Sequence, residues 1–325
     1  MSDAITELAR LMAGRRVLLL SGAGISTESG IPDYRSPAAR ARPVRPITYR
    51  EFMSSPEARA RYWSGSLVGW PRIARAAPNR GHAAVARMEA AGVLLGVVTQ
   101  NVDGLHQAAG SSRVVELHGS LATAACTDCG AAVSRAELQQ RMVGENPFWT
   151  VASGELAPDG DAAAEPSLLP CFIVPACAVC GGILKPQVVF FGENVPRKRT
   201  AEAFGLLAEA EVLLVTGSSL AVYSGFRFVE QAARGEKPVA IVNQGPTRGE
   251  SLASALVAFP PGAAQGGRTI ILHSRTKKVL HCSQSKGSSI FGMGSSSASS
   301  KYVRLIRTWY RFVRPAPYLS AMRSR

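Results

Sequence analysis

Four cysteines in two Cys-x-x-Cys pairs are the strongest constraint on how this chain can fold. The pairs are Cys126/Cys129 and Cys177/Cys180, with 47 residues between them. Two such pairs can supply the four thiolates of a tetrahedral site, which favours zinc and leaves no ligand position for water. We therefore predict one structural zinc ion. Two disulfides are the alternative, and a redox role would leave one pair unexplained.

The basic charge of the chain is concentrated near its C-terminal end. Of 325 residues, 37 are Lys or Arg and 23 are Asp or Glu, which gives a formal net charge of +14. Residues 261–325 contain 12 of the basic residues and none of the acidic ones. The remainder carries 25 basic and 23 acidic residues, so the folded body is predicted to be almost neutral.

The segment 256–325 departs from the preceding pattern, and 283–300 consists mainly of Ser and Gly. Acid-poor, Ser-rich segments rarely form a packed core, so we expect an atypical, disordered tail. Within it, Thr269–Leu272 could form a short strand, and Lys301–Val313 could form a basic amphipathic helix for a membrane or nucleic acid. The other explanation of this composition is a tail that is unrelated to the rest of the chain. A change of reading frame near residue 255 would produce such a tail.

The N-terminus has early acids and no apolar stretch followed by a cleavage site. Instead, Ile5, Leu8 and Met12 fall on one face of a predicted helix that Asp3 could cap. The longest apolar run, Ala90–Val98, is much shorter than the ~20 residues that span a bilayer. We expect a cytoplasmic protein and a monomer.

Six short apolar runs, each followed by turn or capping residues, predict strands that are buried on both faces of a parallel sheet. Helical patterns lie between them, for example at Gly81–Ala91 and Lys198–Glu211. The alternation indicates an α/β fold with a doubly wound, Rossmann-like parallel sheet and ligands at the carboxyl ends of its strands. The six runs are Val17–Ser21, Leu94–Thr99, Val114–Leu117, Val188–Phe191, Val212–Thr216 and Val239–Asn243.

Two insertions interrupt this alternation. Residues 37–80, rich in Pro, Arg and aromatic side chains, predict a small helical module, and residues 121–187 form the zinc-binding module. The Rossmann-like domain is then expected to comprise residues 1–36, 81–120 and 188–255.

The first run continues into Ser21–Ser26, whose glycines would let backbone N–H groups approach a phosphate. Thr27 replaces the third glycine of the dehydrogenase fingerprint, and residues 38–50 contain no acid for a ribose. An ordinary hydride-transfer enzyme is therefore disfavoured. Polar or glycine clusters follow four other strands and would meet this loop in one crevice, namely Thr99–Asp103, Glu116–Gly119, Gly217–Ser219 and Asn243–Gly245.

Over about residues 5–253 the chain resembles the sirtuins, which are NAD-dependent protein-lysine deacylases. Within that family it is most similar to the class II subfamily. The motifs that carry the resemblance are GAGISTESGIPDYRS from residue 22, RYWSGSLVGWP from 61, APDGD from 157, LKPQVVFFGE from 184, GSSLAVYSG from 217 and GPTR from 245.

The resemblance implies that His118 is the catalytic base and that Asn101 and Asp103 orient the nicotinamide and its ribose. His118 would take a proton from a ribose hydroxyl, and the products would be lysine, nicotinamide and an O-acyl-ADP-ribose. An acylated-lysine protein would pair as an added strand with Val188–Glu193 and Ser219–Gly225. The implied NAD-binding residues are Gly22, Ala23, Gly24, Ser26, Asp33, Tyr34, Arg35, Gln100, Asn101, Asp103, Gly217, Ser218, Ser219, Asn243, Gln244 and Gly245.

Two other functions fit the same sequence. One is an NAD-dependent protein mono-ADP-ribosyltransferase, which needs the same ribosyl donor and a different acceptor. The other is a non-catalytic protein that binds NAD or acyl-lysine. We expect His82 and His106 to be structural, Trp63 and Trp70 to serve packing, and no dedicated nucleic-acid or membrane partner.

Overall fold

The structure is a computed structural model, and it describes residues 3–34, 45–147, 149, 166–259 and 270–271. Within these residues the helices are α1 (Asp3–Met12), α2 (Tyr49–Ser54), α3 (Pro56–Arg75), α4 (Arg80–Ala90), α5 (Leu105–Ala108), α6 (Arg135–Glu145), α7 (Arg197–Glu209) and α8 (Tyr223–Arg234). The strands are β1 (Val17–Ser21), β2 (Leu94–Thr99), β3 (Val114–Glu116), β4 (Gly119–Cys126), β5 (Ala132–Ser134), β6 (Leu184–Val188), β7 (Val212–Thr216), β8 (Val239–Gln244), β9 (Ala255–Phe259) and β10 (Ile270–Ile271).

The main sheet has the strand order β10-β9-β8-β7-β1-β2-β3, and every neighbouring pair is parallel except β9 and β10. The chain first builds from β1 to β3 on one side and later adds β7, β8 and β9 on the other side. The strand order therefore reverses between β1 and β7, and open α/β sheets bind their ligands at such a point. The doubly wound sheet predicted from the sequence is confirmed.

Helices cover both faces of this sheet, which explains why its strands are almost purely apolar. Successive side chains of a strand point to opposite faces. Val17 and Leu19 of β1 lie in a core with residues of α1 and α4. Leu18 and Leu20 lie in the opposite core with residues of α7 and α8. All five residues of β1 are buried, so the central strand has no polar face.

The prediction that Val188–Phe191 is a strand of the parallel sheet is wrong. Val188 ends β6, which pairs antiparallel with β4 in a second sheet. The segment is apolar for another reason, because the buried ring of Phe190 packs against Phe52 at 4.9 Å and Tyr62 at 5.3 Å between ring centroids. A run of apolar residues alone does not distinguish this packing from a central strand.

The cysteine-containing and helical regions share one hydrophobic core. β4, β5 and β6 form an antiparallel sheet in the order β5-β4-β6, and α6 packs against β4 and α3. The fully buried Trp63 of α3 lies in the same cluster as Leu138 of α6. The buried guanidinium of Arg135 donates to the carbonyl of Ser66 at 2.9 Å and lies 5.0 Å from the ring centroid of Trp70. Both tryptophans therefore serve packing, as predicted.

The main sheet extends past residue 255, where the tail is predicted to begin. β9 pairs parallel with β8, with Leu256 opposite Ile241, and its buried Leu256 and Val257 complete the core of the sheet. β10 pairs antiparallel with β9, which confirms a short strand within Thr269–Leu272. The boundary at 255 is therefore too early, because the apolar character of β9 continues to Phe259.

Residues 260–269 and 272–325, with the predictions made for them, lie outside the described part of the chain. The same is true of 35–44, which includes Arg35. Among the helices that the structure describes, none combines the length and the apolar character needed to cross a bilayer.

The loops that follow β1 and β7 touch through their backbones at the carboxyl edge of the main sheet. The Gly24 N–H donates to the Gly217 carbonyl at 2.8 Å. A Cβ atom at Gly24 would lie 2.8 Å from that oxygen and 2.9 Å from Gly217 Cα, closer than real Cβ atoms approach. Gly217 itself has φ +60°, which glycine adopts without strain. Glycine is required at both positions for the loops to meet.

We predict that Gly24→Ala lowers the free energy of unfolding by about 1–3 kcal/mol, because the added methyl group forces the two loops apart. Chemical denaturation measures this change. Gly205→Ala is the matched control, since Gly205 is exposed in α7 and a Cβ there meets nothing within 4 Å. That change should stabilise the helix by about 0.5–1 kcal/mol. Equal free energies of unfolding for the two variants would contradict the loop contact.

Candidate active site and metal centre

A cavity of about 730 Å³ lies at the carboxyl ends of β3, β2, β1, β7 and β8. Its volume is typical of a site for a small molecule or cofactor. Each of the five polar or glycine clusters predicted to converge contributes to its lining. The lining includes Gly22, Ala23, Gly24, Ser26, Asp33, Tyr34, Gln100, Asn101, Asp103, His118, Gly217, Ser218, Ser219, Asn243, Gln244 and Gly245.

Two loops that line this cavity at the reversal of the strand order contain backbone N–H groups without a partner among the described residues. Four of the five N–H groups in Gly22–Ser26 donate to carbonyl oxygens of the protein itself. The fifth, that of Ala23, has no partner among the described residues, and neither have the N–H groups of Ser218 and Ser219. Such donors can bind phosphate oxygens. The glycines themselves are needed for the contact between the loops, which the sequence pattern did not reveal.

Asn101 and Asp103, which follow β2, are oriented by the loop that follows β1. The Ser26 hydroxyl donates to Asp103 Oδ2 at 2.7 Å. Asn101 Nδ2 donates to Ser26 Oγ at 3.0 Å and to the Gly22 carbonyl at 3.2 Å. Asp103 Oδ1 also accepts the Leu105 N–H at 3.0 Å, so this carboxylate both lines the cavity and anchors the first turn of α5.

His118 lies in the cavity wall between two hydrogen-bond partners. Nδ1 is 2.9 Å from the Gln100 carbonyl oxygen, and Nε2 is 2.7 Å from Ser224 Oγ. Because a carbonyl only accepts, the neutral ring carries its proton on Nδ1, and Nε2 is the basic nitrogen. Burial lowers the pKa of His118 against the effect of the Gln100 carbonyl, and the charges of Arg199 and Arg227 lower it further. The neutral ring can act as a base.

His82 and His106 are buried beneath the cavity, as expected for structural histidines. His82 Nδ1 accepts the Asn79 N–H at 3.3 Å in the N-terminal cap of α4. His106 Nε2 lies 2.8 Å from Ser21 Oγ at the end of β1. Burial lowers the pKa of His82 to about 4, and burial together with His82 lowers that of His106 to about 3. Both rings therefore stay neutral and support the loops above them.

Two segments with exposed apolar side chains flank the cavity. The first segment, Val188–Glu193, starts at the last residue of β6. The second segment, Ser219–Tyr223, ends at the first residue of α8. Both segments contribute to the lining of the cavity. Phe191 is 44% exposed, Val222 40% and Tyr223 57%. Large exposed apolar side chains beside an open cavity are typical of a surface that binds a partner.

The four predicted cysteine ligands form a cluster. Their Sγ atoms lie within 4.8 Å of one another, with Cys126 3.5 Å from Cys180 and Cys129 3.7 Å from Cys177. Zn–S bonds of about 2.3 Å in a tetrahedron place sulfurs about 3.8 Å apart, so the spacing fits zinc. Hydrogen bonds from the N–H groups of Cys180 and Val179 lower the pKa of Cys177 to about 7, which favours its thiolate. The cysteines are free thiols, against the disulfide alternative.

Three side chains that support or line the cavity received no individual role from the sequence, although Ser224 lies within the segment Ser219–Gly225 that was predicted to pair with the peptide. Ser224 contacts His118, and Arg227 lines the cavity beside it. Asn79 Nδ2 donates to the Ile25 carbonyl at 2.7 Å and fixes the loop after β1. An Asn directly before a helical pattern is a recognisable cap, so Asn79 could have been found. The other two carry no comparable local signal.

A cavity at the reversal point of a doubly wound α/β sheet, lined by glycine-rich loops and a neutral histidine, is typical of a nucleotide-dependent enzyme. The model of the Sir2 family matches residues 22–224, which is more than half of the sequence. The chain belongs to the Sir2 family, whose members are the sirtuins.

Similar proteins agree with this assignment. NAD-dependent protein deacetylase 1 of Streptomyces coelicolor is 54% identical over 248 residues, which cover 76% of this chain and 83% of the relative. NAD-dependent protein deacetylase of Xanthomonas campestris pv. campestris is 51% identical over 243 residues, which cover 75% of this chain and 83% of the relative. A solved structure of Sir2 with a p53 peptide and NAD+ is 30% identical in sequence and superposes with a TM-score of 0.62. The matched region covers 80% of this chain and 92% of the Sir2 chain.

We predict that the purified protein contains one zinc ion per chain, as measured by elemental mass spectrometry. Cys126→Ser leaves three thiolates, so the ion should be lost and the surrounding module should unfold, because binding and folding are coupled. Cys171→Ser is the matched control, since Cys171 is exposed and lies outside the cluster. A well-folded, metal-free protein would contradict the prediction.

Proposed function

We propose that this protein is an NAD-dependent protein-lysine deacylase that transfers the acyl group to ADP-ribose. The observation that carries the proposal is His118, which lines the cavity at the reversal of the strand order as a neutral base with its proton on Nδ1. The similarity to NAD-dependent protein deacetylases and to Sir2 bound to an acetylated peptide supports it. The class II assignment and the monomeric state stay predictions.

The free N–H groups explain where the phosphates of NAD would bind. Ala23, Ser218 and Ser219 together offer three donors on both sides of the reversal point. The adenosine half would lie toward Asn243 and Gln244, at the end of the next strand, β8. The pyrophosphate then spans the crevice in the manner typical of doubly wound folds.

The nicotinamide half would lie beside the residues that follow β2. Ser26 holds the side chains of both Asn101 and Asp103, so neither must be ordered when the ligand binds. Preorganised polar groups act on the reacting atoms without further rearrangement. We assign these two side chains to the nicotinamide and its ribose, and Asp33 and Tyr34 to the outer rim of the same half.

His118 performs the proton transfer in this proposal. NAD supplies a ribose carbon that becomes electrophilic as nicotinamide departs, and the carbonyl oxygen of the acyl-lysine captures it. A ribose hydroxyl must then lose its proton to attack the acyl carbon, and Nε2 of His118 is the base that receives this proton. One water must then add to the acyl carbon as its bond to the lysine nitrogen breaks, so lysine, nicotinamide and O-acyl-ADP-ribose are the products.

The substrate would be an acylated-lysine segment that lies between Val188–Glu193 and Ser219–Tyr223. An extended peptide can add a strand between two such backbone segments, while its acyl-lysine side chain enters the cavity. The exposed apolar side chains of Phe191, Val222 and Tyr223 would contact the peptide. A reducing compartment such as the cytoplasm is proposed because the four thiols must stay reduced to bind zinc.

The test is incubation with NAD and a panel of acetyl-, lipoyl-, biotinyl- and glutaryl-lysine peptides, analysed by mass spectrometry. We expect free lysine, nicotinamide and O-acyl-ADP-ribose in equal amounts with at least one peptide. An ADP-ribosylated peptide with its acyl group intact would instead favour the ADP-ribosyltransferase alternative. A protein that binds NAD without releasing nicotinamide from any peptide would contradict an enzymatic function.

We predict that His118→Ala lowers the deacylation rate by about 10²–10⁴-fold, because the general base is removed. NAD affinity, measured by calorimetry, and the thermal unfolding transition should change little, since among the described residues the ring of His118 bonds only to the Gln100 carbonyl and the Ser224 hydroxyl. Turnover close to that of the unmodified protein would show that His118 is not the base. An unfolded variant would indicate a structural role.

A further inference from the structure

Ser224 is the second residue of α8, and its side chain lies in the cavity wall. Its Oγ is 2.7 Å from Nε2 of His118. The next residue, Gly225, lies against the end of the Gln100 side chain. A Cβ atom at Gly225 would lie 2.5 Å from Oε1 of Gln100, the residue whose carbonyl accepts the proton on Nδ1. Gln100 and the first turn of α8 thus contact opposite nitrogens of one ring.

The direction of this hydrogen bond follows from the other one. The neutral ring carries its proton on Nδ1, so Nε2 offers a single lone pair in the plane of the ring. A hydroxyl at 2.7 Å is the donor to that lone pair. Among the described residues, Ser224 is the hydrogen-bond partner of Nε2. A proton that arrives at Nε2 in this geometry comes from Ser224 Oγ.

We propose that Ser224 is a catalytic proton relay between the ribose hydroxyl of NAD and His118, an inference that rests on the proposed deacylase function. In the relay step the O–H bond of the ribose hydroxyl breaks and an O–H bond forms on Ser224 Oγ. At the same time the original O–H bond of Ser224 breaks and an N–H bond forms on Nε2. The ribose oxygen attacks the acyl carbon, and Ser224 ends the step as a neutral hydroxyl.

The relay makes a prediction that separates it from a structural role. Ser224→Ala should lower the single-turnover rate of deacylation at least about tenfold, as expected when proton transfer is impaired. Capture of the ribose carbon needs no proton transfer, so exchange of labelled nicotinamide into NAD, in the presence of the acyl peptide, should stay within about twofold. Ser224→Thr keeps the hydroxyl and should restore the rate.

The experiment compares these two variants with Ser54→Ala, which removes a hydroxyl whose hydrogen bond, within the described part of the chain, goes to the Arg50 carbonyl of α2. Deacylation is also measured in mixtures of H2O and D2O. For the unmodified protein, the deacylation rate should depend on the fraction of D2O along a curve, as expected when two protons move in the same step. For Ser224→Ala, the rate should depend linearly on the fraction of D2O.

A Ser224→Ala rate within twofold of the unmodified protein would overturn the relay, as would a linear isotope dependence before substitution. Equal losses of deacylation and nicotinamide exchange would assign Ser224 a structural role instead. If the unmodified protein deacylates no peptide, the proposed function fails. If it does and Ser224→Ala matches it, the relay alone fails.

Discussion

The backbone contact between Gly24 and Gly217 determines where a ligand can bind in this molecule. It joins the loops after β1 and β7, the two adjacent strands between which the chain order reverses. A Cβ atom at Gly22 would likewise lie 2.8 Å from Ser218 Cβ, so the first loop meets the second at both glycines. The contact itself uses the Gly24 N–H, and among the described residues the N–H groups of Ala23, Ser218 and Ser219 have no partner, so they can bind an anion. Neither loop alone would provide this set.

The metal cluster is connected to the same cavity through the backbone. Cys126 ends β4 and lies opposite Leu184 at the start of β6, and β6 ends at Val188, where the cavity begins. The next N–H, that of Val189, donates to the carbonyl of His118 at 2.8 Å. A structural zinc ion therefore does more than stabilise a distant module. A zinc ion there would fix the strand pair that positions one side of the proposed peptide cleft against His118, the proposed base.

Most of the site could be predicted because parallel strands bring their carboxyl ends to one edge. Once five strands are recognised, the polar residues after them must converge, and β1, β2 and β7 match their predicted bounds. The failure at Val188–Phe191 has a physical reason, since a segment that packs Phe190 into another core is as apolar as a central strand. Long-range contacts left no local signal. Ser224 and His118 are 106 residues apart in the sequence, and only the folded chain brings them together.

The role of the two loops in binding NAD can be tested by a crystal structure with NAD and an acyl-lysine peptide bound. We predict pyrophosphate oxygens within hydrogen-bond distance of the N–H groups of Ala23, Ser218 and Ser219. We also predict that the ribose of the nicotinamide half lies on the His118 side of the cavity. A pyrophosphate bound elsewhere on the sheet, with these three N–H groups still lacking a ligand, would contradict this role of the loops.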